Sequence, residues 1–171
     1  KERNASLDDA SLNEIAHNVA NGTIRYELIK PDLDKIITFD INTSLKLEGD
    51  TCSYIQYSCV RAARILEKSD KKPDFNASFD QLNTQHDLNL IKQIGMFEIF
   101  VNDAAKNYSP KVIAKYCYGL AVTFSSFYEH VKVLKAETPE LVNARLCLVL
   151  SFGLTLEKAL DLLGITVPQR M

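Results

Sequence analysis

A chain of 171 residues, 46% hydrophobic and 25% charged, can bury one real core and is too short to favour two domains. Twenty Lys and Arg against 22 Asp and Glu leave a net charge of −2, which argues against a broadly basic phosphate-binding surface and leaves room for a local patch only. No run of about 18 apolar residues excludes a membrane span on sequence grounds, and Lys1-Glu2-Arg3-Asn4 does not read as a signal peptide.

The lack of an initiator Met is expected of a piece of a longer chain. Cys52, Cys59, Cys117 and Cys147 form no CxxC pair and each sits among apolar residues. They are expected to be small core residues in a reducing, cytoplasmic compartment.

Residues 7–30 are predicted helical. Leu12, Ile15, Ala16 and Val19 recur at helical spacing, and Asn21-Gly22 offers a break or kink. Pro31-Asp32 turns the chain. Residues 36–47 read as short, irregular and extended, and Glu48-Gly49-Asp50 as a turn. Thr51 or Ser53 caps a helix to about Lys68, with Ile55, Cys59, Ala62 and Leu66 on its apolar face. Lys68 to Gln85 is a polar connector and the segment expected to be most mobile.

Three long helices complete the reading. Asp87 opens the first, with Leu88, Ile91, Ile94 and Val101 as its stripe as far as Ala105. Ser109-Pro110 caps the second, which carries Val112, Tyr116, Leu120, Phe124 and Phe127. Thr138-Pro139 caps the third, which carries Leu141, Ala144, Leu148, Phe152, Leu156 and Leu163 before Gly164 stops it. The expected fold is all-α, an antiparallel helix bundle, in one domain over 1–171. Within it, 1–50 forms N-terminal helices and a connection, and 51–171 the main bundle.

No signature of catalysis is found. His17, His86 and His130 are far apart and outside any HxxxH or HExxH pattern. No G-x-S-x-G elbow, Walker loop or GxGxxG is present. The informative stretch is residues 47–61. Tyr54, Tyr57 and Arg61 share a helix face at i, i+3, i+7, and Arg64 extends it. Phenol rings stack on unstacked bases, and guanidinium groups stack or hold phosphate, so this stripe suits single-stranded RNA. Read from spacing alone, Tyr54 and Tyr57 equally fit packing at a helix boundary.

Glu48-Gly49, Thr51, Tyr54, Gln56-Tyr57 and Arg61 fit the pattern E-G-N-T-G-x-Y-L-Q-Y-A-x-x-R. Gly22 to Tyr26, Ile37 to Asp40, Tyr116 to Tyr128, and the ending Leu160-Asp161-Leu162-Leu163-Gly164-Ile165 through Pro168 to Met171 fit further segments of the same kind, in the same order. In these features the chain resembles the anticodon-binding (DALR-type) domain of the arginyl-tRNA synthetase family. Asp50, Cys52 and Leu47 depart from the usual Asn, Gly and Phe before the helix.

The resemblance implies an RNA-gripping module without chemistry of its own. Tyr54, Tyr57, Tyr128 and Met171 would surround the anticodon loop of an arginine tRNA, with Arg61 and Arg64 added here on physical grounds. Lys111, Lys115 and Arg170 are weaker candidates. It further implies a parent class I ligase whose catalytic domain uses ATP and Mg2+ and carries the HIGH and KMSK-like signatures, neither of which occurs here. That domain and arginine tRNA are the expected partners, with neither membrane nor DNA. No cofactor is expected in this part, which alone should not charge tRNA. A helical interaction module of the same ancestry, without RNA binding, is the alternative.

Overall fold

The computed structural model describes residues 8–32 and 34–171; the Lys1-to-Asn4 segment and residue 7 of the first predicted helix lie outside them. Helices α1 (Asp9–Ile29), α2 (Ile41–Ser44), α3 (Cys52–Glu67), α4 (Gln85–Gly95), α5 (Phe97–Lys106), α6 (Lys111–His130) and α7 (Pro139–Leu162) account for all its regular structure, and the described residues include no strand. Helix α7 lies against α3, α4 and α6, and α1 rests on α3 and α6.

The core follows from these contacts. Phe124 and Phe152 stack face to face with centroids 3.8 Å apart, both fully buried, and join α6 to α7. Ile55 and Cys59 of α3 and Leu120, Leu156 and Leu160 complete the centre. Helix α7 is long and apolar enough to suit a bilayer (mean hydropathy 1.3 over 18 residues), but here its Leu146, Val149, Phe152, Leu156 and Leu160 are buried in the bundle's own core.

Several boundaries differ from the sequence reading, each for a local reason. Helix α1 runs through Asn21-Gly22 without a break. Gly22 is instead the point where α1 meets its neighbours. A Cβ there would lie 2.9 Å from Gln56 Nε2, 3.0 Å from Cys52 Sγ and 3.1 Å from Ile165 Cγ2. Residues 36–40 are irregular as expected, but Ile41–Ser44 forms a short helix because the Asp40 carboxylate accepts from Asn42 N–H.

Thr51 caps α3, accepting from Tyr54 N–H at 3.2 Å. Asp50, which replaces the usual Asn, accepts a 2.6 Å hydrogen bond from the buried Tyr26 hydroxyl and so ties the turn to α1. Burial and the neighbouring Asp50 carboxylate push the Tyr26 phenol well above its ordinary range.

The long helix predicted over 87–105 is two. It starts at the Thr84 cap, with Asp87 at the third position of a capping box, and is interrupted at Gly95-Met96 before α5. Its inward face is Asp87, Leu90 and Ile94, while Leu88 and Ile91 face outward, because Asp87 must reach Arg145. Ser109 does not cap α6: Pro110 holds the cap position without a side-chain bond, and the chain reverses through Tyr108 at φ 51°.

Thr138 caps α7 with Pro139 in its first turn, and Gly164 ends it at φ +67°, as predicted. The 68–85 connector lies along α7, where Asp74 N–H donates to Asn143 Oδ1 and Asn143 Nδ2 to the Asp74 carbonyl, at 2.9 and 2.8 Å.

Two predictions follow from this packing. Gly119 in α6 has no neighbour within 4 Å of an added Cβ, so Gly119→Ala should stabilise by up to about 1 kcal/mol through helix propensity. Gly22→Ala gains the same propensity but overpacks the α1–α3 contact by about 1–3 kcal/mol, so urea denaturation should show a net loss or no gain.

All four cysteines are buried, and burial pushes the Cys52 thiol up to about 12 from 9.0. An unfolded chain ionises this thiol first. Stability is therefore fully present below pH 9.0 and falls as pH rises toward 12, and alkylation at pH 8 should track unfolding.

Candidate nucleic-acid interface

Helix α3 has two working faces. Ile55, Cys59 and Ala62 are buried against α6 and α7, and Tyr57, Arg61 and Arg64 lie on the side that faces outward beside the end of α6. The fully buried Gln56 fixes the helix in rotation. Its Nε2 donates to the Thr166 carbonyl at 2.8 Å and lies 3.3 Å from the Asn18 carbonyl, which clasps the chain end and α1 to α3.

The outward side opens on a groove of about 570 Å³. Helix α3 supplies Tyr57, Val60, Arg61, Arg64 and Ile65, with Lys68 just beyond it. Across the groove stand Tyr128 and the strip Val131, Lys132, Val133, Leu134 and Lys135 that leads from α6 to α7. The Arg61 guanidinium lies 4.8 Å from the Tyr57 ring centre and 4.5 Å from that of Tyr128. Such contacts are worth about 0.5–1 kcal/mol at an exposed site. Tyr128 is 44% exposed, too open for a core residue, although its ring also lies 6.5 Å from that of Phe124.

Charge is distributed unevenly. Arg61, Arg64, Lys68, Lys132 and Lys135 line the groove, and among the described residues no acidic side chain does, although the whole chain carries −2. Cations gathered along one concave surface focus the field there whatever the net charge. The groove thus offers aromatic faces, two planar guanidinium groups and three lysine point charges, a set suited to bases and phosphates.

The structure brings four of the six primary candidates together: Tyr57, Arg61, Arg64 and Tyr128. Tyr54 is not among the groove's lining. It is half-buried and meets Tyr118 edge-on at 6.1 Å. Met171 is half-buried at the rim, its carbonyl 3.5 Å from Arg64 Nη2.

The weaker candidates are dispersed. Lys111 is paired with Asp32, Lys115 is exposed on α6, and Arg170 lines a separate hollow with Glu14 and Asn18. Lys68, Lys132 and Lys135 were missed from the sequence. Lys68 ends the stripe of α3, and Lys132 stands between the buried Val131 and Val133 three residues and more beyond Tyr128, but their meeting in one groove is a matter of tertiary packing.

Comparison with known proteins gives this arrangement a context. Residues 55–171 match the DALR anticodon binding domain, and the chain belongs to that family. Its curated relatives are arginine–tRNA ligases. That of Methanothrix thermoacetophila is 36% identical over 99% of this chain and 30% of its own length, and that of Thermococcus kodakarensis 36% identical over 100% and 28%.

Among solved structures, Thermus thermophilus arginyl-tRNA synthetase superposes with a TM-score of 0.86 at 35% identity over 99% of this chain and 29% of that one. The Plasmodium falciparum enzyme gives 0.83 at 26% identity over 94% and 28%. The chain therefore spans about 30% of the length of the curated relatives it matches.

The two classes of residue should separate experimentally. Tyr54→Ala removes packing and is expected to cost about 2–4 kcal/mol in urea denaturation. Lys132→Ala and Lys135→Ala are exposed changes and should stay within about 0.5 kcal/mol of the parent protein.

Proposed function

We propose that the groove between α3 and the end of α6 holds the anticodon loop of an arginine tRNA. Tyr57 and Tyr128 offer their rings to splayed bases, and Arg61, Arg64, Lys68, Lys132 and Lys135 meet the backbone. The observation that carries this reading is the concentration of five cations and two tyrosine faces in one groove of a chain whose net charge is −2.

Met171 takes a place at the rim, and Tyr54 acts indirectly by holding α3 against Tyr118. Residues 51–171 form the RNA-binding bundle of a single domain, and 1–50 the connection to the rest of the enzyme.

The parent protein would be a cytoplasmic arginine–tRNA ligase that attaches arginine to tRNA at the expense of ATP. The ATP- and Mg2+-dependent steps belong to its catalytic body. The residues of this chain do not fit those groups: neither the HIGH nor the KMSK-like signature occurs in it, and its described residues hold no cluster of three or more His, Cys, Asp or Glu side chains. Exposed apolar residues near the start of the described chain would meet that body. Ile24, Leu28, Ile36, Phe39 and Ile41 expose between 47% and 96% of their surface on α1 and the segment after it.

Binding of an arginine anticodon stem-loop, compared with a non-cognate one, tests the reading. The cognate loop should bind more tightly. Stacking is worth about 1–3 kcal/mol per base, so Tyr57→Ala combined with Tyr128→Ala should weaken binding at least about tenfold with the fold intact. Equal affinity for both loops would remove the arginine assignment, a double variant that binds like the parent would remove the stacking roles of Tyr57 and Tyr128, and no binding to either loop would favour an interaction module without RNA binding.

A further inference from the structure

The strip between α6 and α7 supplies two of the groove's cations, Lys132 and Lys135, yet it is neither helix nor strand. Its backbone is fixed at few points. Val131 N–H donates to the Phe127 carbonyl at 2.8 Å, and the Val131 and Val133 side chains are buried. The Lys132 carbonyl accepts a hydrogen bond from Arg145 Nη1 at 3.3 Å.

Arg145 reaches this carbonyl from the second turn of α7 and is itself only 8% exposed. Its Nε and Nη2 donate to the two carboxylate oxygens of Asp87, at 3.4 and 3.5 Å. Asp87 is fully buried and held in turn by the Thr84 hydroxyl and N–H, at 2.6 and 3.2 Å. The chain of contacts therefore runs from the α4 cap through Asp87 and Arg145 to the backbone of a groove lysine.

A buried charge pair is seldom favoured for stability alone, because desolvation offsets most of its attraction. The choice of arginine is informative. A lysine would balance Asp87, but its single ammonium lacks the planar fork that serves a carboxylate on one side and a carbonyl on another.

We infer that Arg145 is a positioning residue for RNA binding: oriented by Asp87, it fixes the Lys132 carbonyl and with it the place where Lys132 and Lys135 meet phosphate. The inference rests on the RNA-binding reading above and adds to it a device that touches no RNA.

The test uses the whole chain with Arg145→Lys and, should that variant unfold, Asp87→Asn with Arg145→Met, which removes both buried charges. Hydrogen exchange of amides 131–136 needs no RNA. Exchange there should quicken about tenfold while the middle turns of α6 and α7 keep their protection.

The salt dependence of binding to the arginine anticodon stem-loop is the second readout. Lys132→Ala with Lys135→Ala should make the slope of log K against log salt shallower by about 1.4, at about 0.7 per contact on a single strand. Arg145→Lys should make it shallower by up to the same amount, and adding it to the lysine pair should change the slope no further.

Unchanged strip exchange overturns the inference whether or not RNA binds. So does faster exchange with an unchanged slope. Failure of the unaltered protein to bind the stem-loop overturns the underlying RNA reading instead, and is told apart because the parent, not the variant, lacks affinity.

Discussion

The fold depends on the junction of α6 with α7, where Phe124 and Phe152 stack at 3.8 Å in the middle of the core. Burying each ring is worth about 1.5–3 kcal/mol, and the stack fixes how the two helices lie against each other. With that junction set, α3 can approach both helices on one face only, and its remaining turns must face out. Tyr128 lies one turn beyond Phe124 and is carried to the edge of the bundle, opposite Arg61. The core contact and the groove are thus consecutive turns of the same helix.

A second constraint keeps the two faces of α3 from exchanging. Gln56 is buried and bonded to α1 and to the chain end, so the helix cannot rotate without breaking both contacts. The pattern Tyr54-Ile55-Gln56-Tyr57 divides into four tasks. Tyr54 packs on Tyr118, Ile55 enters the core, Gln56 clasps, and Tyr57 meets Arg61. The likeness of this stretch to arginine–tRNA ligases therefore records packing as much as any contact with RNA.

Much of this was legible in the residues. Helical spacing located most of the helices, and Thr51 and Thr138-Pro139 marked two starts because capping is a local interaction. The aromatic–basic stripe at Tyr57, Arg61 and Arg64 was visible for the same reason. What escaped was tertiary. Gly22 reads as a helix break until Cys52, Gln56 and Ile165 are seen against it. Leu88 and Ile91 read as core until the buried Asp87–Arg145 pair turns α4 about its axis. Lys132 and Lys135 were passed over because their place opposite α3 is set by where α6 ends against the bundle, which no local spacing states.

The net charge of −2 left room for a local patch only, and the groove's five cations are such a patch. The central claim is that one face, and not the chain as a whole, receives RNA. The most direct measurement is an NMR titration of the isotope-labelled protein with an arginine anticodon stem-loop, following every backbone amide. Shifts should concentrate at residues 57–68, 128–135 and 171 and leave the outer face of α4 and α5 unchanged. Shifts centred on α4 and α5, or no shifts at all, would contradict the account.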